Sequence, residues 1–204
     1  MLEEMGAAFI LFTADHRGER FPPLSKTYGQ FTPELDELYP TYIGDGVLLK
    51  RLQGKDTVRW AYIGRLATSQ QEGLAFLDAY ATYGAEAIHD QDLKVPEGQG
   101  TAGTGRILQL RAGIERFIIT DINDAHAGDR ARSHIPVMWE LPGTRNYEGG
   151  HVLYLDGHVE WLPYPGPFPM TEAFNARLEQ IMIDAGTGPP GLRGEVAGKA
   201  ADAP

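Results

Sequence analysis

The sequence predicts an α+β fold, in which helices and antiparallel strands belong to one domain. Apolar residues recur at helical spacing in residues 2–14 and again in residues 170–185. Between them, "GGHVLYLDGHVEWLPYP" (149–165) alternates with a period of two, as a β-hairpin does. A length of 204 residues with 42% hydrophobic content suits one domain over residues 1–185. Residues 186–204 are of low complexity, and we expect them to order only against a partner.

The N-terminal segment "LEEMGAAFILFTA" predicts a helix that is apolar on more than one side. One face has the i, i+3, i+7 spacing of a buried stripe, formed by Leu2, Met5, Phe9 and Phe12. The second half is also apolar elsewhere, at Ile10, Leu11 and Ala14. Such a helix should be buried on several sides, by its own sheet or by neighbouring subunits.

The middle of the chain predicts further short elements. Residues 32–40 suit a short helix, and residues 69–84 a longer helix that Ser69 caps and Gly84 ends. Alternation and β-branched or aromatic residues favour strands at 57–64, at the start of 106–122 and at 135–141. The glycine-rich segment 97–105 precedes a strand rather than a helix, so we interpret it as a plain loop and not as a phosphate site.

The pair Asp156-Gly157 predicts a two-residue type I′ turn, because both central residues of that turn need positive φ. This turn would place Tyr154 opposite Val159 and Val152 opposite Trp161. These four residues would form the core face of the hairpin.

The charged and polar residues point away from several function classes. Acidic residues outnumber basic ones by 28 to 18, and no basic stripe exists, so we expect no nucleic-acid partner. No apolar run is long enough to insert into a membrane, and the absence of cysteine excludes disulfides. His151 and His158 would lie about 13 Å apart, which is too far to share an ion, and a solvated strand face explains them. No catalytic motif is present, and we expect that the protein is not an enzyme.

The segment "TDINDAHAGDRARSHIP" (120–136) is the best candidate for a bound ion. Asp121, Asn123, Asp124 and Asp129 put four oxygen-bearing side chains within nine residues, a density that calcium sites need. The alternative is turn and capping chemistry, in which Asn and Asp bond the local backbone, and both interpretations stay open. "HDQD" (89–92) is a weaker second candidate that suits a solvated loop.

Three segments together resemble a known family. "HVLYLDGHVEWLPYPGPFPMTEAF" resembles the C-terminal signature of bacterial type IV pilin-like proteins of the H-x9-DG family, often labelled pseudopilins of type II secretion, which typically ends N-V-L-Y-x-D-G-H-V-E-F. "RAGIERFIITDINDAHAGDRARSHIPVMWE" is similar to the segment before that signature, and "MGAAFILFTADHRGERFPP" to the exposed half of the pilin spine helix. Residues 65–105 would be an insertion. Asn146 stands at the family's histidine position, so that residue's role is not carried over.

The resemblance implies an N-terminal helix packed on an antiparallel sheet, and a non-catalytic building block of filaments. Residues 1–16 would be the remnant of the spine helix, whose membrane half was removed or is not needed. Some pseudopilins also bind calcium in a C-terminal loop. We therefore expect an extracellular protein whose partners are copies of itself in a helical homopolymer. Leu2, Phe9, Ile10 and Phe12 would pack between subunits, and the 186–204 tail would strap neighbours together.

Two alternatives remain. The chain could be the soluble part of a type II secretion pseudopilin, which an apolar segment encoded upstream of Met1 would favour. It could also be a metal-dependent hydrolase built on the Asp and His residues of 120–160, which nothing in their spacing indicates.

Overall fold

A computed structural model describes residues 1–44, 46, 50, 59–121, 123–142 and 148–187. The predicted α+β class is confirmed: an N-terminal helix accompanies a four-stranded antiparallel sheet and further helices. The helices are α1 (Leu2–Asp15), α2 (Leu35–Leu38), α3 (Gln70–Tyr83), α4 (Ala85–Ile88), α5 (Ala127–Arg132) and α6 (Glu172–Asp184). The strands are β1 (Trp60–Tyr62), β2 (Leu93–Lys94), β3 (Arg106–Ile107), β4 (Pro136–Glu140), β5 (Gly149–Tyr154) and β6 (Val159–Pro163). Short 3₁₀ turns span Thr101–Gly103 and Ile114–Phe117.

The main sheet has the order β1-β4-β5-β6, and every neighbouring pair is antiparallel. Strands β2 and β3 form a separate two-stranded ladder. The register places Tyr62 opposite Met138 and Met138 opposite Leu153, so these three side chains share one face. Trp139 and Val152 are paired on the other face.

A layer of helix covers each face of this sheet. On the Leu153 face, the ring of Phe9 from α1 lies 5.2 Å from that of Tyr62. On the Trp139 face, the ring of Phe174 from α6 lies 5.8 Å from the Trp139 indole. Helix α3 packs in turn against α6, where a side chain at Gly73 would collide with Phe174.

Residues 65–105, which the resemblance makes an insertion, share the core of the domain. Ser69 accepts a hydrogen bond from the Glu72 N–H at 3.3 Å, and α3 ends at Gly84, as predicted. Phe76, Leu77 and Tyr80 of α3 are fully buried in the same apolar cluster as Phe9 and Trp139. The segment is therefore packed into the domain and not appended to its surface.

The hairpin is confirmed, but the predicted two-residue turn is wrong. Three residues, 155–157, connect the strands: Gly157 N–H donates to the Tyr154 carbonyl at 2.9 Å, and Tyr154 N–H donates to the His158 carbonyl at 3.0 Å. This is a turn closed by a glycine at φ +92°, the second common way in which Asp-Gly ends a hairpin. The Asp156 carboxylate supports it by accepting from the His158 N–H at 3.1 Å.

The longer turn shifts the register by one residue, which reverses the faces of β6 relative to β5. Val152 faces Glu160 instead of Trp161, and Tyr154 lies opposite His158 instead of Val159. Val152 and Tyr154 are buried as predicted, but Val159 is only half-buried. Trp161 is 49% exposed, so its assignment to the hairpin core is wrong.

Buried tyrosines make the fold sensitive to alkali. Burial raises the pKa of Tyr80 to about 12, and it also raises that of Tyr154 to about 12. Burial raises the pKa of Tyr62 further, and its hydroxyl donates to the Pro22 carbonyl at 2.5 Å. Burial lowers the pKa of Arg65 to about 10. Its contribution to the free energy of unfolding therefore changes with pH in the opposite direction to that of the tyrosines.

We expect the free energy of unfolding to fall as the pH rises from 10 to about 12. In this range tyrosines in the unfolded chain release protons that folded Tyr80 and Tyr154 retain. The stabilisation that these tyrosines contribute to the folded state is complete below pH 10 and is therefore lost as the pH rises. Among the described residues, the three buried tyrosines, Tyr62, Tyr80 and Tyr154, outnumber the one buried arginine, Arg65. Urea unfolding across this range measures the slope, and Tyr80→Phe should make it shallower whereas Phe at the exposed Tyr83 should not. A slope that Tyr80→Phe leaves unchanged would contradict this account.

Candidate functional site

Helix α1 has two apolar sides, and within the described part of the chain only one of them is buried. The inner side is Leu2, Met5, Phe9 and Phe12, all of which are buried in the domain core. The structure therefore does not leave Leu2, Phe9 and Phe12 available for the packing between subunits that we expected of them. Of the four predicted assembly residues, Ile10 alone lies on the surface, where 54% of it is exposed.

The outer side of α1 carries a second apolar strip, which we call the outer stripe: Ala7, Ile10, Leu11 and Ala14. All four are exposed, and Leu11 is 57% exposed. Their i, i+3, i+4, i+7 spacing is that of helices that dock by one apolar face. Glu3 and Glu4 precede the stripe and Asp15 follows it, so charge lies at its ends and not within it.

The candidate calcium loop is held by turn contacts, in which Asp side chains bond the local backbone. Asp121 accepts a hydrogen bond from the Asn123 N–H at 3.0 Å, and Asp124 accepts one from the His126 N–H at 2.9 Å. Among the residues that the structure describes, no three His, Asp or Glu side chains converge as a metal site would require. Ile122, inside this loop, lies outside the described residues.

Arginines supply the positive charge in this loop. Asp124 pairs with Arg130, and Asp129 pairs with Arg132 at 2.5 Å. The hydrogen bond that the Arg132 guanidinium donates to Asp129 raises the pKa of Arg132, and the negative charges of Glu115 and Asp156 add to this effect. Asp124 and Asp129 would have to exchange these arginines for the ion if the loop bound calcium.

The calcium prediction is tested by thermal unfolding. If the loop binds calcium with a dissociation constant on the order of 1 mM, as extracellular modules do, calcium at about ten times that concentration should raise the Tm by a few degrees. A chelator should reverse the rise, and Asp121→Asn should abolish it because the loop loses a charged ligand. An equal rise with magnesium, or no rise at all, would eliminate a calcium site.

The two hairpin histidines bind separate carboxylates. His151 Nδ1 lies 2.7 Å from Glu140 Oε2, which also accepts the His151 N–H at 2.9 Å. His158 Nδ1 lies 2.6 Å from Asp156 Oδ1 in the exposed turn. Glu140 is nearly buried, with 7% of its side chain exposed. Nothing in the sequence spacing pairs Glu140 with His151, because they meet only through the register of β4 and β5.

We expect His151→Ala to lower the free energy of unfolding by about 1–3 kcal/mol, because a buried carboxylate loses a donor. His158→Ala is the matched control, with a histidine–carboxylate pair in the same hairpin. It should cost less than about 1 kcal/mol, because the Asp156 carboxylate is 33% exposed and water replaces the histidine. Urea denaturation compares the two variants. Equal losses would show that burial of Glu140 does not set the cost.

The segment 89–92, the weaker ion candidate, joins a charged network instead. Asp92 accepts the Gln109 N–H at 2.8 Å and pairs with Arg111 at 3.3 Å. Asp90 accepts from the Gln109 amide at 2.5 Å and pairs with Arg20 at 3.3 Å. These contacts tie β2, β3 and the N-terminal segment together.

No family model, curated protein or solved structure matches this chain. In the part of the chain that the structure describes, no helix is long and apolar enough to cross a membrane.

Proposed function

We propose that this chain is the structural subunit of an extracellular filament or tube, and that copies assemble through the outer stripe of α1. The observation that carries the proposal is the pair Ile10 and Leu11, adjacent and more than half exposed on a helix whose other side is buried. A helix that is apolar on two sides needs a second apolar partner.

The stripe can supply a useful part of an assembly interface. Full burial of a Leu or Ile side chain contributes about 1.5–3 kcal/mol, and about half of each remains to be buried here. Two such residues therefore contribute roughly 1.5–3 kcal/mol to each contact. If the stripe docks on a different surface of the next copy, the contact is open and repeats into a helical polymer.

The edge of the sheet is the alternative contact surface, and its residues disfavour that role. Strand β6 forms one edge of the sheet, where an added strand could pair. It includes the exposed Glu160 and ends at Pro163, which has no N–H to donate. Charge and proline at an edge disfavour strand addition.

The resemblance to pilin-like proteins supports the same arrangement. In that family the N-terminal helix forms the spine of the filament, and the quoted segments occur here in the same order. The resemblance also motivates the extracellular location, the absence of catalysis and the stabilising calcium. The tail 186–204, whose residues 188–204 lie outside the described residues, would contribute a strap between neighbouring copies.

The double variant Ile10→Ser/Leu11→Ser tests the proposal. We expect wild-type chain at high concentration to form polymers visible by negative-stain electron microscopy. The variant should raise the concentration needed for polymers by roughly 30-fold or more, since about 2 kcal/mol is lost per contact. Its Tm should change little, because both side chains are exposed in the protomer.

Phe117→Ser is the matched control, since Phe117 is 43% exposed and lies outside α1. It should leave polymerisation unchanged. Polymers that persist in the double variant would exclude the outer stripe. A wild-type chain that stays monomeric in sedimentation, with calcium present, would overturn the proposal altogether.

A further inference from the structure

Helix α1 lies across the strands of the main sheet and covers one row of its residues. Gly6 lies over Leu153 of β5, and the Phe9 ring contacts Tyr62 of β1. Leu153 and Tyr62 belong to the same row, because Met138 of β4 pairs with both of them. The next row on this face lies two residues along each strand, about 6.6 Å from the row under α1.

This second row becomes exposed towards β6. It consists of Trp60, Glu140, His151 and Trp161, one from each strand. Glu140 is buried, whereas the His151 side chain is 47% exposed and Trp161 is 49% exposed. Pro163, two residues further along β6, is exposed on the same face. We call His151, Trp161 and Pro163 the open strip.

The side chains of the open strip are held in place within the protomer. A Cβ on Gly149 would lie 2.7 Å from the Trp161 indole, so the ring lies directly against the backbone of β5. Glu140 Oε2 accepts the His151 N–H at 2.9 Å and lies 2.7 Å from His151 Nδ1. Side chains that are already fixed lose little conformational entropy when a partner covers them.

We propose that the open strip receives the outer stripe of α1 from the next copy of the chain. This inference rests on the proposed function and names the second surface of that contact. Packed helices lie about 8–10 Å apart. A second helix beside α1 would therefore lie between the rows of Trp161 and Pro163, which are about 6.6 and 13 Å from the row under α1. The incoming α1 adds a second helix to the same face of the sheet.

The composition of the open strip matches an apolar helix. Trp161 is the most exposed of the three tryptophans, and tryptophan is enriched at the centres of protein interfaces. None of the three residues is acidic, so the strip does not add to the repulsion between chains of net charge −10. Phe117 is the other ring without a hydroxyl that is exposed in the described part of the chain. It already makes cation–π contacts with Arg111 and Arg116, at 5.9 and 5.3 Å.

The stripe and the strip are different surfaces, so each copy can give one contact and receive another. Such a contact does not close on itself in a pair, and it repeats into a polymer. Trp161→Ser should therefore raise the concentration needed for polymers by roughly 30-fold, as Ile10→Ser/Leu11→Ser does, because each variant removes one side of the same contact. Negative-stain electron microscopy measures this threshold.

A mixture of the two variants provides the decisive measurement. The Trp161→Ser chain keeps an intact stripe, and the Ile10→Ser/Leu11→Ser chain keeps an intact strip. In equal amounts, above the wild-type threshold and below that of either variant, they can form one contact that cannot repeat. Sedimentation velocity should show dimers in the mixture and monomers of each variant alone. Tyr83→Ser is the control, since Tyr83 is 56% exposed on α3, and it should polymerise as the wild type does.

The outcomes separate this inference from the proposed function. Polymers of Trp161→Ser at the wild-type threshold, or a mixture that stays monomeric, would overturn the open strip as the receiving surface and leave the outer stripe in its role. Polymers of Ile10→Ser/Leu11→Ser at that threshold would overturn both. Unfolding midpoints establish that each variant is folded.

A cross-link tests the same contact with Trp161 in place. The chain has no cysteine, so Ala14→Cys in one copy and Pro163→Cys in another put single thiols on the stripe and on the strip. In mixed polymers a short bismaleimide should join one chain of each kind. Products that join two Ala14→Cys chains instead would show that stripes pair with each other, which would overturn the inference.

Discussion

The close approach of α1 to β5 is the contact on which the rest of the molecule depends. Gly6 lies directly over Leu153, where even a Cβ would stand 3.2 Å from a Leu153 methyl carbon. This contact lets the large side chains of α1, such as Phe9, reach the sheet and Tyr62. Because the inner side of α1 is buried in this way, the outer stripe is left exposed among the residues that the structure describes. The proposed assembly surface is therefore a consequence of how the core is built.

The elements with a long periodic pattern were the predictable part of the fold. Helices α1 and α3 and the hairpin follow from spacing, with Ser69 and Gly84 marking the ends of α3. The hairpin register was not predictable, because Asp-Gly suits both a two-residue and a three-residue connection. The difference is one residue, yet it moves Trp161 from the core to the surface. Local turn chemistry alone does not decide between them.

Contacts between segments that are distant in sequence could not be predicted from the sequence patterns. Glu140 and His151 meet through strand register, and Arg65 is fully buried although arginine is rarely an interior residue. The Arg65 guanidinium donates to the Gly64 carbonyl at 2.9 Å and to the Ile88 carbonyl. In the same way α1 could be recognised as apolar on two sides. Which residues belonged to which side depended on the direction from which the sheet covers it.

The carboxylate of Glu72 joins the N-terminus of α3 to the glycine-rich loop 97–105. Glu72 accepts from the Thr68 N–H at 2.6 Å and from the Ala102 N–H at 2.9 Å. The negative charge that a helix N-terminus favours is thus supplied by the helix's own side chain. The carboxylates of Asp124 and Asp129 are likewise neutralised within the chain, by nearby arginines.

A net charge of −10 makes copies of the chain repel one another, so assembly through the apolar outer stripe has to overcome a long-range electrostatic cost. Salt of any cation screens this repulsion between charges farther apart than the Debye length, which is about 10 Å at an ionic strength of about 0.1 M. Only a coordinating loop would distinguish calcium from magnesium.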